Sequence, residues 1–166
     1  MLHGRCYSMK SMEASKLISF FEEDLCIFHL RSRKKMSVLT EIVHHLALKN
    51  KISDERFIIE MLKNRESLGS TGLGNGAAFP HGRSLAIKDL SVLFARSASG
   101  VDFDALDGKP TRIFFLILAP SDKGSETYLA ILSELISLIQ KPAKLKSLCE
   151  ATDYASLVKI LEDKDL

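Results

Sequence analysis

An unbroken apolar run over residues 113–119 (Ile-Phe-Phe-Leu-Ile-Leu-Ala) constrains this chain more than any other stretch. With no polar face, it marks a strand buried on both sides of its sheet. Such a strand requires a covering layer above and below. Helical patterns before and after it supply both layers. The sequence therefore predicts an α/β architecture, a mixed β-sheet flanked by helices on both faces.

Periodicity and end signals place the helices. Residues 13–21 set Leu17, Ile18 and Phe21 on one side. Ser32 is the expected cap of a helix over 33–50, with Met36, Leu39, Val43 and Leu46 inward and Ile42 and Ala47 widening the stripe. Ser53-Asp54-Glu55 opens the next, with Phe57, Ile58, Met61 and Leu62 inward and an end near Ser67, before Gly69. Ser125 is the expected cap of a long helix to about Lys141, apolar at Tyr128, Ile131, Leu132, Leu135, Ile136 and Ile139. Pro142 starts a short helix to about Cys149, and Asp153 caps a last one carrying Leu157, Ile160 and Leu161. Further strands are expected at 91–96 and at 25–30, where length favours a strand and periodicity alone does not decide. Residues 102–110 are turn-rich, with a reversal at Asp107-Gly108.

A chain of 166 residues reads as one domain, here over 13–166, behind a loose polar tail over 1–12. A net charge of +2 lacks the clustered basic excess of a nucleic-acid binder. The densest basic run, Arg31, Arg33, Lys34 and Lys35, reads as a solvated helix start. No apolar run approaches the roughly 18 to 20 residues of a membrane span, and the start lacks the apolar middle of a signal peptide. Cys6, Cys26 and Cys149 are odd in number and far apart, so they read as reduced thiols of a cytoplasmic protein. His44 and His45 are neighbours on a helix and point about 100° apart, which denies them the i, i+4 pairing of a metal site. His29 reads as a packed or edge histidine. No metal and no cofactor is expected.

The chemistry concentrates between Arg65 and Arg83, where Gly69, Gly72, Gly74 and Gly76 precede His81, itself held between Pro80 and Gly82. A phosphate-binding P-loop needs a lysine after its glycines, and none follows before Lys88. A dinucleotide fingerprint opens a helix, whereas this run follows one and Pro80 bars the next. No Gly-x-Ser-x-Gly elbow is present. What remains is a histidine acting alone. A neutral imidazole offers one nitrogen as a nucleophile and can take a phosphoryl group from another phosphorylated side chain. Such transfer needs position and positive charge. Arg65 and Arg83 are close in sequence, and amides of residues 72–76 are candidates for the phosphate oxygens. On the residues alone, Arg65 also reads as an exposed helix-end arginine that offsets the dipole.

Residues 68–76 (Leu-Gly-Ser-Thr-Gly-Leu-Gly-Asn-Gly), followed by Ala77-Ala78-Phe79-Pro80-His81-Gly82, resemble the active-site signature of a known family. It is the fructose/mannitol/nitrogen type of EIIA domain in the bacterial phosphoenolpyruvate-dependent phosphotransferase system. The likeness runs over about 15–163. It includes Phe103-Asp104-Ala105-Leu106-Asp107-Gly108-Lys109-Pro110, the strand ending Leu118-Ala119-Pro120 and the helix from Glu126. It is nearest to the nitrogen-type regulatory branch, whose members are free-standing domains.

The resemblance implies that His81 is the phosphorylated residue and that Arg65, Gly72, Gly74, Asn75 and Gly76 line its pocket. It implies the histidine-containing phosphocarrier protein as donor, itself charged from phosphoenolpyruvate by Enzyme I. In transport members the acceptor is a cysteine on an EIIB domain; in nitrogen-type members the phosphorylation state controls regulatory partners. A binding module without phosphotransfer is the third alternative. No nucleic acid and no membrane insertion is implied. Related proteins commonly set a second histidine beside the active one, and Tyr128 stands at that position here. Tyrosine still donates a hydrogen bond to a phosphate oxygen but gains no charge near neutral pH; packing on the core edge is the equal alternative.

Overall fold

The computed structural model describes residues 12–166, so the expected tail, Met12 apart, lies outside the described residues. In chain order the elements are α1 (Ala14–Ile18), β1 (Phe21–Ile27), α2 (Lys35–Leu48), α3 (Glu55–Ser67), β2 (Gly72–Gly74), β3 (Ala77–Ala78), β4 (His81–Arg83), β5 (Ser91–Val101), β6 (Thr111–Ala119), α4 (Ser125–Ile139), α5 (Pro142–Glu150) and α6 (Tyr154–Glu162).

The apolar run is the centre of the sheet. β5 lies antiparallel on one side of β6, with β1 parallel beyond it. On the other side β3 and then β4 run parallel to β6, in register Ala77↔Ile113 and His81↔Ile117. β2 closes that edge antiparallel to β3. Successive strand side chains point to opposite faces, and β6 obeys this throughout. Ile113, Phe115, Ile117 and Ala119 pack under α1, α4, α5 and α6. Phe114, Leu116 and Leu118 pack against α2 and α3. Fully burying a side chain of this size is worth about 1.5 to 3 kcal/mol. The expected mixed sheet with helices on both faces is the fold of the protein.

Several local expectations are corrected. Ser32 and Ser125 do not cap their helices: α2 starts from Lys34 and α4 from the left-handed Gly124. The Ser32 N–H instead donates to Glu41 Oε2 at 2.8 Å. The first helix is shorter than expected, because Phe21 enters β1, which in turn ends at Ile27 and not at Leu30. β5 runs on past Arg96 to Val101 through an irregular register. Phe57 is exposed, while Ile58 and Leu62 are buried as expected. The caps Asp54 and Asp153 form as the sequence suggests, accepting from Phe57 N–H at 2.9 Å and Ser156 N–H at 2.7 Å. His29 and His44 are exposed, and His45 Nε2 bonds Asp24 O at 2.7 Å.

Candidate active site

His81 starts β4 beside β6, with Arg65 from the end of α3 on one side and Tyr128 from the start of α4 on the other. Its approach is built from the core outward. Phe79 is buried and stacks on Phe115 with ring centroids 5.6 Å apart. That anchor fixes the Phe79 carbonyl, and Pro80, its own φ locked, keeps Phe79 before it out of helical backbone. The His81 ring then turns back, and Nδ1 meets Phe79 O at 2.7 Å.

A carbonyl only accepts, so the proton sits on Nδ1 and the lone pair on Nε2. Arg65 Nε donates to that nitrogen at 3.3 Å, while Arg65 Nη1 donates to Gly69 O at 2.9 Å. Burial pushes the imidazole pKa down. The Phe79 carbonyl and Glu66 act upward and Arg65 downward, and the net effect is a lowered value. The ring is therefore neutral near pH 7, with a nucleophilic lone pair.

Tyr128 closes the opposite wall. It is buried, and its ring meets His81 edge-on at a centroid distance of 6.3 Å. Arg83 Cζ lies 5.4 Å from the Tyr128 ring centroid. The same guanidinium donates to the carbonyls of Pro120, Ser121 and Lys123 at 2.9, 3.3 and 3.1 Å. Burial raises the Tyr128 phenol above its ordinary value, against the opposing pull of Arg83 and Arg65. It stays a neutral donor.

The glycine run does not gather at His81 as expected. Gly72–Gly74 and Ala77–Ala78 form a small hairpin, turned by Asn75 and Gly76 at φ 55° and 77°. Two successive left-handed residues are what a tight Asn-Gly turn needs. Gly76 O accepts from Arg112 and Ile113 N–H, whereas His81 pairs with Ile117. At about 3.3 Å per residue, the turn sits roughly 13 to 16 Å along β6 from the histidine. The Asn75 N–H already donates to Asp107 Oδ2 at 2.9 Å, and the Gly72 N–H to Ser70 Oγ at 3.1 Å. Gly74, Asn75 and Gly76 thus lie along β6 away from the His81 ring. At the start of the run, Gly69 O meets Arg65 and Thr71 O meets the Phe79 N–H.

Three groups at the site escaped the sequence reading: the Phe79 carbonyl, Thr71 and the buried Glu66. One signal was present. Glu66 stands in the last turn of a helix, where the dipole disfavours an acid. Lys35, expected to be solvated, pairs with it. Among the described residues no group of three or more His, Cys, Asp or Glu is placed to hold a metal ion. Burial pushes the Cys26 thiol up to about 12, helped by Glu23, and raises Cys149 as well. Neither is a nucleophile.

The fold and site define a mixed α/β protein with one neutral histidine on an edge strand, between an arginine and a tyrosine. The model of the family described as phosphoenolpyruvate-dependent sugar phosphotransferase system, EIIA 2, matches residues 19–164. The chain belongs to that family. It is 33% identical over 129 residues to a nitrogen regulatory protein of Pseudomonas aeruginosa, covering 78% of this chain and 83% of the relative. It is 34% identical over 137 residues to the fructose-specific EIIABC component of Bacillus subtilis, covering 82% of this chain but 21% of that protein. The crystal structure of nitrogen regulatory protein IIA-Ntr from Neisseria meningitidis superposes with a TM-score of 0.81 at 29% identity, covering 88% of this chain and 99% of that one. No helix among the described residues is long and apolar enough to cross a membrane.

Proposed function

We propose that this EIIA-type domain accepts a phosphoryl group on His81 Nε2 from the histidine-containing phosphocarrier protein, and that it acts as a nitrogen-type regulator. The observation that carries the reading is the pinned imidazole: Nδ1–H on Phe79 O and Nε2 facing Arg65. In the transfer step the Nε2 lone pair forms a bond to phosphorus as the donor's N–P bond breaks. That electron pair returns to the donor imidazole, and the His81 proton stays on Nδ1. Arg65 then turns its donors from the lone pair to the phosphoryl oxygens, and Tyr128 offers its hydroxyl. Positioned charge of this kind is the main catalytic device in phosphoryl transfer.

The nitrogen-type assignment draws on the likeness to the two nitrogen regulatory proteins, in one case over nearly the full length of both chains. Transport is the second reading, because the Bacillus relative is a fructose-specific EIIABC component. The test has two stages. The protein and His81→Ala are incubated with phosphoenolpyruvate, Enzyme I and the phosphocarrier. The phosphorylated protein is then mixed with EIIB domains from the same organism. Uptake by the wild type alone, with no onward transfer, supports the regulator. Onward transfer to an EIIB cysteine supports transport, and no uptake overturns both.

A further inference from the structure

Behind His81 a buried carboxylate joins pieces of chain that are far apart in sequence. Glu66 follows Arg65 in α3 and is only 8% exposed. Its carboxylate accepts from the Thr71 N–H at 3.2 Å and from the Thr71 hydroxyl. Lys35 Nζ, from the first turn of α2, lies 2.9 Å from Glu66 Oε2 and 3.2 Å from Asp104 Oδ2, and sits 5.0 Å from the centroid of the Phe103 ring. Burial acts to lower the Lys35 pKa, but the hydrogen bonds to Glu66 and Asp104 outweigh it and raise the value. The lysine therefore keeps its charge near neutral pH.

From Thr71 the contacts lead to the nucleophile. Thr71 O accepts from Phe79 N–H at 3.0 Å, and Phe79 O accepts from His81 Nδ1–H at 2.7 Å. On the other flank Gly69 N–H donates to Glu66 O at 3.1 Å, and Gly69 O receives Arg65 Nη1 at 2.9 Å. Ser70 Oγ adds a tie to Phe103 O at 2.9 Å. The turn from Gly69 to Thr71 therefore touches both partners of the imidazole.

Burying a carboxylate at the negative end of a helix is unfavourable twice over, by desolvation and by the dipole. Closing a helix does not require it. Here the two oxygens bind three donors, and each of those donors belongs to the turn or to the lysine that braces it.

We infer that Glu66, braced by Lys35, is a positioning residue for phosphoryl transfer at His81. It holds Thr71, and through Thr71 and Phe79 it holds the carbonyl that keeps the proton on Nδ1 and Nε2 free. This rests on the phosphotransfer reading above. Glu66 touches neither the reacting nitrogen nor the phosphoryl group.

The test compares wild type with Glu66→Gln, Lys35→Met and Thr71→Val. Thr71→Val keeps the side-chain shape and the backbone donor and removes only the hydroxyl. Two quantities are read: the rate of His81 phosphorylation by the phosphocarrier, and the imidazole 15N shifts of the unphosphorylated protein. Displacement of a reacting group by around 1 Å costs up to about a hundredfold in rate. A loss of roughly tenfold to a hundredfold is expected in Glu66→Gln, and smaller losses in the other two. The nitrogen spectra should pass from one Nδ1–H tautomer to a mixture. A folded Glu66→Gln or Thr71→Val variant with wild-type rate and a single tautomer overturns the inference. If wild type takes no phosphate from an active donor, the phosphotransfer reading fails, and the nitrogen spectra alone decide whether Glu66 orients the ring.

Discussion

Arg65 Nε donates to His81 Nε2 at 3.3 Å, on the ring edge opposite the nitrogen that Phe79 O holds at 2.7 Å. One contact fixes the proton and the other covers the lone pair. The guanidinium also lowers the imidazole pKa, behind the larger effect of burial. A charged group placed here discourages protonation of the nucleophile and stands ready for an anion.

Arg65→Ala should therefore slow phosphorylation of His81 by about a hundredfold, the usual cost of losing one positioned donor. The fold should survive, because the side chain is only half-buried. Arg65→Lys should not restore the rate, since an ammonium lacks the fork that reaches Gly69 O and Nε2 together. Single-turnover kinetics with phosphorylated donor checks this; an unchanged rate removes Arg65 from the site.

The lowered His81 pKa sets a pH dependence with a definite sign. The unfolded histidine titrates near 6.5. Between that value and the lower folded one, the unfolded chain binds more protons. The contribution of His81 to stability is thus complete above about pH 6.5 and is lost as pH falls toward the folded pKa. His81→Ala should lie within about 1 kcal/mol of wild type at pH 7.5, and the gap should narrow or reverse as pH falls below 6.5. Urea denaturation at a series of pH values decides it. A gap that widens toward acid pH contradicts the buried neutral ring.

Tyr128 predicts an absence of titration. Its phenol is held above its ordinary value by burial, and the Arg83 guanidinium beside it carries a permanent charge. The lifetime of phosphorylated His81 should show no ionisation from this wall between pH 6 and 8, and Tyr128→His should introduce one near 6.5. Tyr128→Phe should shorten the lifetime if the hydroxyl meets the phosphoryl oxygens. A lifetime unchanged in Tyr128→Phe assigns the ring to packing alone.

The hairpin tip offers a contrasting control. Asn75 has φ 55°, and a left-handed backbone costs an alanine about 1 kcal/mol. Asn75→Ala should lose that much stability and leave the phosphorylation rate unchanged, because the tip lies far along β6 from His81. Equilibrium unfolding and the donor assay, run together, check both halves. A large fall in rate would return the turn to the site.

How far the sequence carried depended on the range of the interactions. β6 was legible because seven apolar side chains with no polar face admit one environment. His81 stood out as a candidate because Pro80, Gly82 and the long flanking signature are local features. Asn75-Gly76 carried a hairpin signal in plain view, and reading the glycines as one loop passed over it. Glu66 is a different case. Its partner Lys35, which also binds Asp104, is brought to it by the sheet and by two helices, and residue spacing along the chain does not report such contacts. Ser32 failed as a cap because its N–H is taken by Glu41 and α2 starts further on, from Lys34; Ser125 failed because the left-handed Gly124 just before it opens α4, which makes Ser125 the first helical residue.

The most direct measurement is the chemical identity of the phosphorylated atom. The protein would be charged with phosphoenolpyruvate, Enzyme I and the phosphocarrier, then examined by intact mass, site mapping and 15N–31P NMR under alkaline conditions that preserve phosphohistidine. A single phosphoryl group on His81 Nε2, absent in His81→Ala, is the predicted result. Phosphate on Nδ1, on another residue, or none from a demonstrably active donor would contradict the account.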